Sequence, residues 1–267
     1  MHAVVPALLV SALSGLYTSA WGAYKDGPYE GFNALTFPRS VFFSIGIALF
    51  LMYGPFEIGP AFAQLPLFHV FLVIMGIERM ITEIYKACFR HSDQSKFLIP
   101  QRMTLFGRSV DSEIARVATG IVLTAGVLVI PFWMRPVAGL PTFVSVAFLT
   151  GMFICSGGAY KDAPFEGFSP KKFVRSAIVL SLVSPLIYWL GSIPMGFLIY
   201  TFGGLERLLV EYYKSYVMHS VPGKFRPDLP RIEDRFFHNR GKLHLVAIAL
   251  MLLLAGLYAQ ALLAKLG

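Results

Sequence analysis

At 267 residues, with 56% hydrophobic and only 14% charged side chains, this chain cannot cover itself for water, since a soluble domain carries about 25% charged residues. At least six near-continuous apolar runs reach the roughly 17–25 residues that span a bilayer, which excludes a soluble enzyme and points to an all-α polytopic membrane protein. The net charge of +8 therefore has to be read by where the cations sit, as membrane sidedness rather than as nucleic-acid binding.

Eight spans are predicted in chain order, near 3–21, 40–54, 67–86, 114–133, 141–157, 173–191, 194–213 and 242–263. The opening MHAVVPALLVSALSGLYTSAW has no basic segment ahead of its apolar run, so it reads as a first spanning helix rather than a cleaved signal peptide. The second span is short and leads into YGPFEIGPAFAQLP (53–66), a proline-bearing connection expected to kink or re-enter. Cys88 and Cys155 fall in different segments without metal-ligand spacing and read as free thiols. The connections after spans one, three, five and seven, with the adjoining helix ends, hold 21 of the 23 Lys and Arg; the opposite face holds Arg135 and Lys265. Positive residues stay in the cytoplasm, so the protein is expected in the cytoplasmic membrane with both termini outside.

A charged phrase is written twice. Residues 21–40 align with 157–176 at 12 identities in 20, including GAYKDGPYEGF against GAYKDAPFEGF. A second block aligns 78–97 with 206–225 at 9 identities in 20, through Glu, Arg, Glu, Tyr, Lys, His, Ser, Lys and Phe. Each half, 1–136 and 137–267, then holds four spans, with the first block after its first span and the second block ending its third. Four is even, so the expected architecture is two parallel four-helix repeats related by an axis along the membrane normal, with both blocks on the cytoplasmic face.

The residue types in these blocks suit diphosphate chemistry. Asp26 and Glu30, like Asp162 and Glu166, bracket a proline and precede Gly31 or Gly167, where the helix is expected to end. Carboxylates so placed can share Mg²⁺, which takes oxygen ligands and keeps several waters. In the second block Arg79, Glu83, Lys86 and Arg90 follow one helix face, and Arg207, Glu211 and Lys214 repeat it. Cations beside a metal are what phosphate oxygens need, which makes Lys25, Arg39, Arg79, Lys86, His91, Lys161, Arg175, Arg207, Lys214 and His219 the candidate phosphate ligands. Glu78, Glu83, Glu206 and Glu211 are the candidate catalytic carboxylates. The structural alternatives are equally specific. Lys25 and Lys161 would be interfacial anchors, Arg79–Glu83 and Arg207–Glu211 ordinary i,i+4 pairs, the histidines caps, and the four carboxylates a network joining the halves.

The stretch Lys161-Asp162-Ala163-Pro164-Phe165-Glu166-Gly167 resembles the second aspartate-rich motif of the UbiA superfamily of intramembrane prenyltransferases. The resemblance implies two four-helix halves with acidic motifs on the cytoplasmic side that hold Mg²⁺ and a prenyl diphosphate. It would make Asp162 and Glu166 metal ligands with Asp26 and Glu30 as partners. This chain has one residue fewer between the proline and the glutamate, and its first half repeats the second motif. Two functional readings result. One is an Mg²⁺-dependent, prenyltransferase-like enzyme of lipid metabolism acting on a phosphorylated isoprenoid or lipid. The other is a non-catalytic transporter, lipid-binding protein or integral subunit of a larger membrane complex, with the blocks as salt bridges between halves. The basic, proline-bearing stretches 93–113 and 227–240 would cover the site or meet anionic lipid.

Overall fold

A computed structural model describes residues 4–55, 57–217, 224–226, 228–232 and 235–267, with side chains from 239 onward in the last stretch. Among the described residues the fold is all-α apart from one hairpin of two-residue strands, Thr104–Leu105 with Arg108–Ser109. Each predicted span contains a helix: α1 Val4–Glu30, α2 Arg39–Tyr53, α4 Leu67–Ile84, α5 Glu113–Val129, α6 Leu140–Glu166, α7 Pro170–Trp189, α8 Met195–Tyr212 and α9 Arg235–Leu266. By length and composition, α1, α5 with its 3₁₀ extension, α6, α7 and the 239–266 part of α9 can cross a membrane. Of the other three, α2 is apolar but only 15 residues long, and α4 and α8 each carry two glutamates and an arginine.

Two local features refine the expected spans. First, α1 and α6 continue past the predicted spans through the charged phrase to Glu30 and Glu166, so that each ends just ahead of Gly31 or Gly167 as expected, with Pro28 and Pro164 inside. Each proline removes one backbone donor and crowds the carbonyl four residues back, and each helix ends two residues beyond it. The stop comes one residue later, at Gly31 (φ 77°) and Gly167 (φ 82°), positive φ values that glycine adopts without steric penalty. Second, the connection after α2 folds as a short helix, α3 Ile58–Ala63, tucked back on α2 with Ile58 and Phe62 buried.

The core sits where α4 crosses α8. A Cβ on Gly76 would collide with the Tyr200 carbonyl oxygen, and one on Gly204 with that of Leu72. Gly204 and Tyr200 occupy the positions of Gly76 and Leu72 in the second block's register, so the close approach is reciprocal. Small residues that let backbones meet are the usual device for joining helices in lipid. Reciprocity recurs elsewhere. Gly15 of α1 abuts Ser40 of α2, and Gly151 of α6 abuts Ser176 and Ala177 of α7. The Leu98 amide donates to the Lys224 carbonyl (2.9 Å) and the Arg226 amide to the Lys96 carbonyl (3.1 Å), which brings Phe97 and Phe225 together as a stacked pair at 5.4 Å. Both α4 and α8 end in one π-helical turn, Tyr85–Phe89 and Tyr213–Val217.

The fourth helices depart from this pattern. Helix α5 packs on α4 and its π turn, whereas α9 packs on α1 and α4. Consequently α1 is covered by α9, while α6 has no comparable packing against α5.

Candidate functional site

The repeated blocks converge at one end of the bundle, where the C-termini of α1, α4, α6 and α8 meet the N-termini of α2, α5, α7 and α9. Arg79 and Arg207 do not pair with Glu83 and Glu211 four residues on. Instead Arg79 reaches across to Glu206 (2.9 Å) and Arg207 lies 3.9 Å from Glu78. The cause is the tight α4–α8 crossing, which puts the facing helix closer to each guanidinium than its own next turn. Glu206 is fully engaged, since its second oxygen accepts from Ser176 Oγ (2.7 Å). Glu78 is fully buried; its Oε1 accepts from Thr82 Oγ1 (2.8 Å) and its Oε2 has no hydrogen bond.

The first-half phrase is also locked across the halves. Lys25 Nζ sits 2.7 Å from Glu211 Oε2, to which Trp21 Nε1 donates as well. Asp26 accepts from Lys224 Nζ at 2.5 Å, and Glu30 lies 3.5 Å from Arg90 and 3.6 Å from Lys224. Burial alone would lower the Lys224 ammonium; Asp26 and Glu30 reverse this and hold its pKa above the ordinary lysine value. The second-half phrase behaves differently. Glu166 pairs with Lys172 of the following helix (3.2 Å), and Glu83 with Lys86 of its own (3.1 Å). Lys161 and Asp162 make no ion pair and no hydrogen bond among the described residues.

Each expected phosphate ligand can now be placed. Lys25, Arg79 and Lys86 are committed to carboxylates, Arg207 faces Glu78, and the exposed His91 lies 3.3 Å from Glu113. Lys214 is engaged through the charge of Glu211 and its neighbours, and His219 lies outside the described residues. Arg39 and Arg175 remain. At equivalent positions near the starts of α2 and α7, they stack on the π-turn tyrosines, Arg39 on Tyr85 (5.2 Å) and Arg175 on Tyr213 (5.9 Å). Both have a buried Nε without a hydrogen bond, and among the described residues neither has an acidic partner.

The four expected metal ligands are not gathered. Asp26, Glu30 and Glu166 are each neutralised by Lys or Arg, and among the described residues no three acidic, histidine or cysteine side chains are grouped for a metal. This donor set does not fit a Mg²⁺ cluster, because the cations already occupy the oxygens that a metal would need. Cys88 and Cys155 are buried free thiols.

Comparison with protein-family models, curated proteins and solved structures finds no match for this chain. The site therefore stands on its own geometry.

Sequence reasoning did not count Lys224, Arg90 and Ser176 among the site residues. All three belong to the aligned blocks, so the repeat carried a signal for them; their partners follow from the packing alone. An aromatic cluster flanking the lock had no sequence signal. Trp21 stacks on Tyr212 (4.7 Å), Tyr24 on His244 (4.5 Å), and Arg240 lies over Tyr24 (4.7 Å). Tyr216 hydrogen-bonds His244. This cluster seals α9 onto α1.

Proposed function

We propose that the chain is an integral membrane protein of two parallel four-helix repeats, its charged end cytoplasmic and both termini outside, that binds phosphorylated lipid headgroups through Arg39 and Arg175. The reciprocal contacts of Gly76 and Gly204, and of Phe97 and Phe225, support the parallel repeat, because self-equivalent contacts at both heights follow an axis running along α4 and α8. The single observation that carries the ligand is the pair of guanidiniums without carboxylate partners among the described residues, each lying over a tyrosine ring. Guanidinium is the side chain suited to bidentate phosphate contact, and the N-terminal ends of α2 and α7 add positive potential.

Binding without catalysis is the better-supported role. All four candidate catalytic carboxylates are held by structural partners: Glu78 by Thr82, Glu83 by Lys86, Glu206 by Arg79 and Ser176, Glu211 by Lys25 and Trp21. A prenyl diphosphate, the ligand named by the UbiA resemblance, belongs to the same ligand class.

Thermal unfolding of the purified protein in detergent tests this reading. A ligand that binds only the folded state raises the unfolding temperature with occupancy. Prenyl diphosphates and phosphatidic acid are expected to stabilise the wild-type protein with or without chelator, and the R39Q/R175Q double variant is expected to lose that shift. A shift that survives in the double variant, or the absence of any shift, would overturn the assignment.

A further inference from the structure

The two copies of the charged phrase are chemically the same but differently paired. In the first copy an ammonium, Lys224, sits on Asp26, and Lys25 sits on Glu211. In the second copy the corresponding partners are Lys96 for Asp162 and Glu83 for Lys161, and neither pair forms. The aromatic contact is broken in the same way: Tyr29 stacks on Phe225 at 4.7 Å, whereas Phe165, its counterpart, is exposed. Lys161 and Asp162 adjoin in the chain near the end of α6, and the charges around Asp162 are of both signs, Lys161 and Lys214 against Glu166 and Glu83.

Asp162 and Lys161 are both half-buried and neither side chain has an ion pair or hydrogen bond among the described residues, an arrangement that is costly for a partly desolvated charge. A simple anion placed there would meet Asp162, and a simple cation would meet Lys161. A molecule bearing both an ammonium and a phosphate satisfies both signs, as Lys224 and Lys25 satisfy the first copy. The position adds an apolar requirement. Helix α6 lacks the cover that α9 gives α1, and it presents Phe148, Leu149 and Phe153 outward below the charged phrase. An acyl chain can lie along that face while its headgroup stays at the charged end.

We infer that the second copy is the headgroup site of an amine-bearing phospholipid of the phosphatidylethanolamine type, its ammonium on Asp162 and its phosphate on Lys161. The site uses neither Arg39 nor Arg175 and rests only on the reading of the chain as a membrane protein. Phosphatidylcholine carries the same charges but no ammonium N–H to donate, so hydrogen bonding to the carboxylate separates the two lipids.

The test is thermal unfolding in nanodiscs of phosphatidylcholine doped with phosphatidylethanolamine, phosphatidylglycerol or nothing, with soluble phosphoethanolamine as a further arm. Phosphatidylethanolamine is expected to raise the unfolding temperature above both other lipids. K161Q and D162N are expected to abolish that preference, and R39Q/R175Q to retain it. K25Q, in the paired copy, lowers the baseline and leaves the preference intact. Equal shifts with phosphatidylethanolamine and phosphatidylglycerol, a preference that persists in D162N, or the full shift with soluble phosphoethanolamine would each overturn the assignment. Because R39Q/R175Q reads the other site, failure of one proposal is distinguishable from failure of the other.

Discussion

Glu206 and Glu78 are the same residue of the repeat in two environments. Glu206 is held by Arg79 and Ser176, while Glu78 has Thr82 and a more distant Arg207. Removing one partner of a buried pair leaves the other charge uncompensated, which typically costs 3–5 kcal/mol. Arg79 keeps some access to water, so E206Q is expected to cost about 2 kcal/mol, and E78Q clearly less because one oxygen of Glu78 lacks a hydrogen bond already. Denaturant unfolding of both variants in the same detergent checks the order; equal losses would contradict the unequal pairing. The residue types of this lock could be read from the sequence, since both blocks carry Glu-Arg at the same spacing. The partners could not. An i,i+4 pair is the default for Arg79 and Glu83 on one helix, and only the helix crossing redirects the arginine.

That crossing is an element-scale property set by two glycines. A methyl group on Gly76 or Gly204 would meet backbone carbonyl oxygens of the facing helix, atoms that cannot move without separating α4 from α8. G76A and G204A are therefore each expected to destabilise by about 1–3 kcal/mol, the usual cost of overpacking. G22A, on α1 with nothing near its Cβ, is expected to be neutral or slightly stabilising because alanine favours helix. Thermal unfolding of the three variants separates these outcomes, and a neutral G204A would contradict the close approach. Most helices were legible from the lengths of their apolar runs. The ends of α1 and α6 were legible as well, because Gly31 and Gly167 mark the stops that the structure shows. The short α3 was legible only as an irregular connection, its six residues being too few for a helical period to show.

At the scale of the whole molecule, the repeat predicts symmetry and the fourth helices break it. Nothing in the apolar residues of α5 and α9 indicates that one stays with its own half and the other crosses to α1; that choice depends on packing and on the aromatic cluster around His244. The proposed sidedness rests on the distribution of Lys and Arg and underlies both proposed lipid sites. It is tested most directly by single cysteines introduced into a background lacking Cys88 and Cys155, then labelled from either side of oriented vesicles with a membrane-impermeant maleimide. D93C and K171C, at matching ends of the two halves, are expected to label only from the cytoplasmic side, and R135C only from the other. Labelling of D93C and K171C from opposite sides would contradict the parallel repeat and remove the common charged face on which both sites depend.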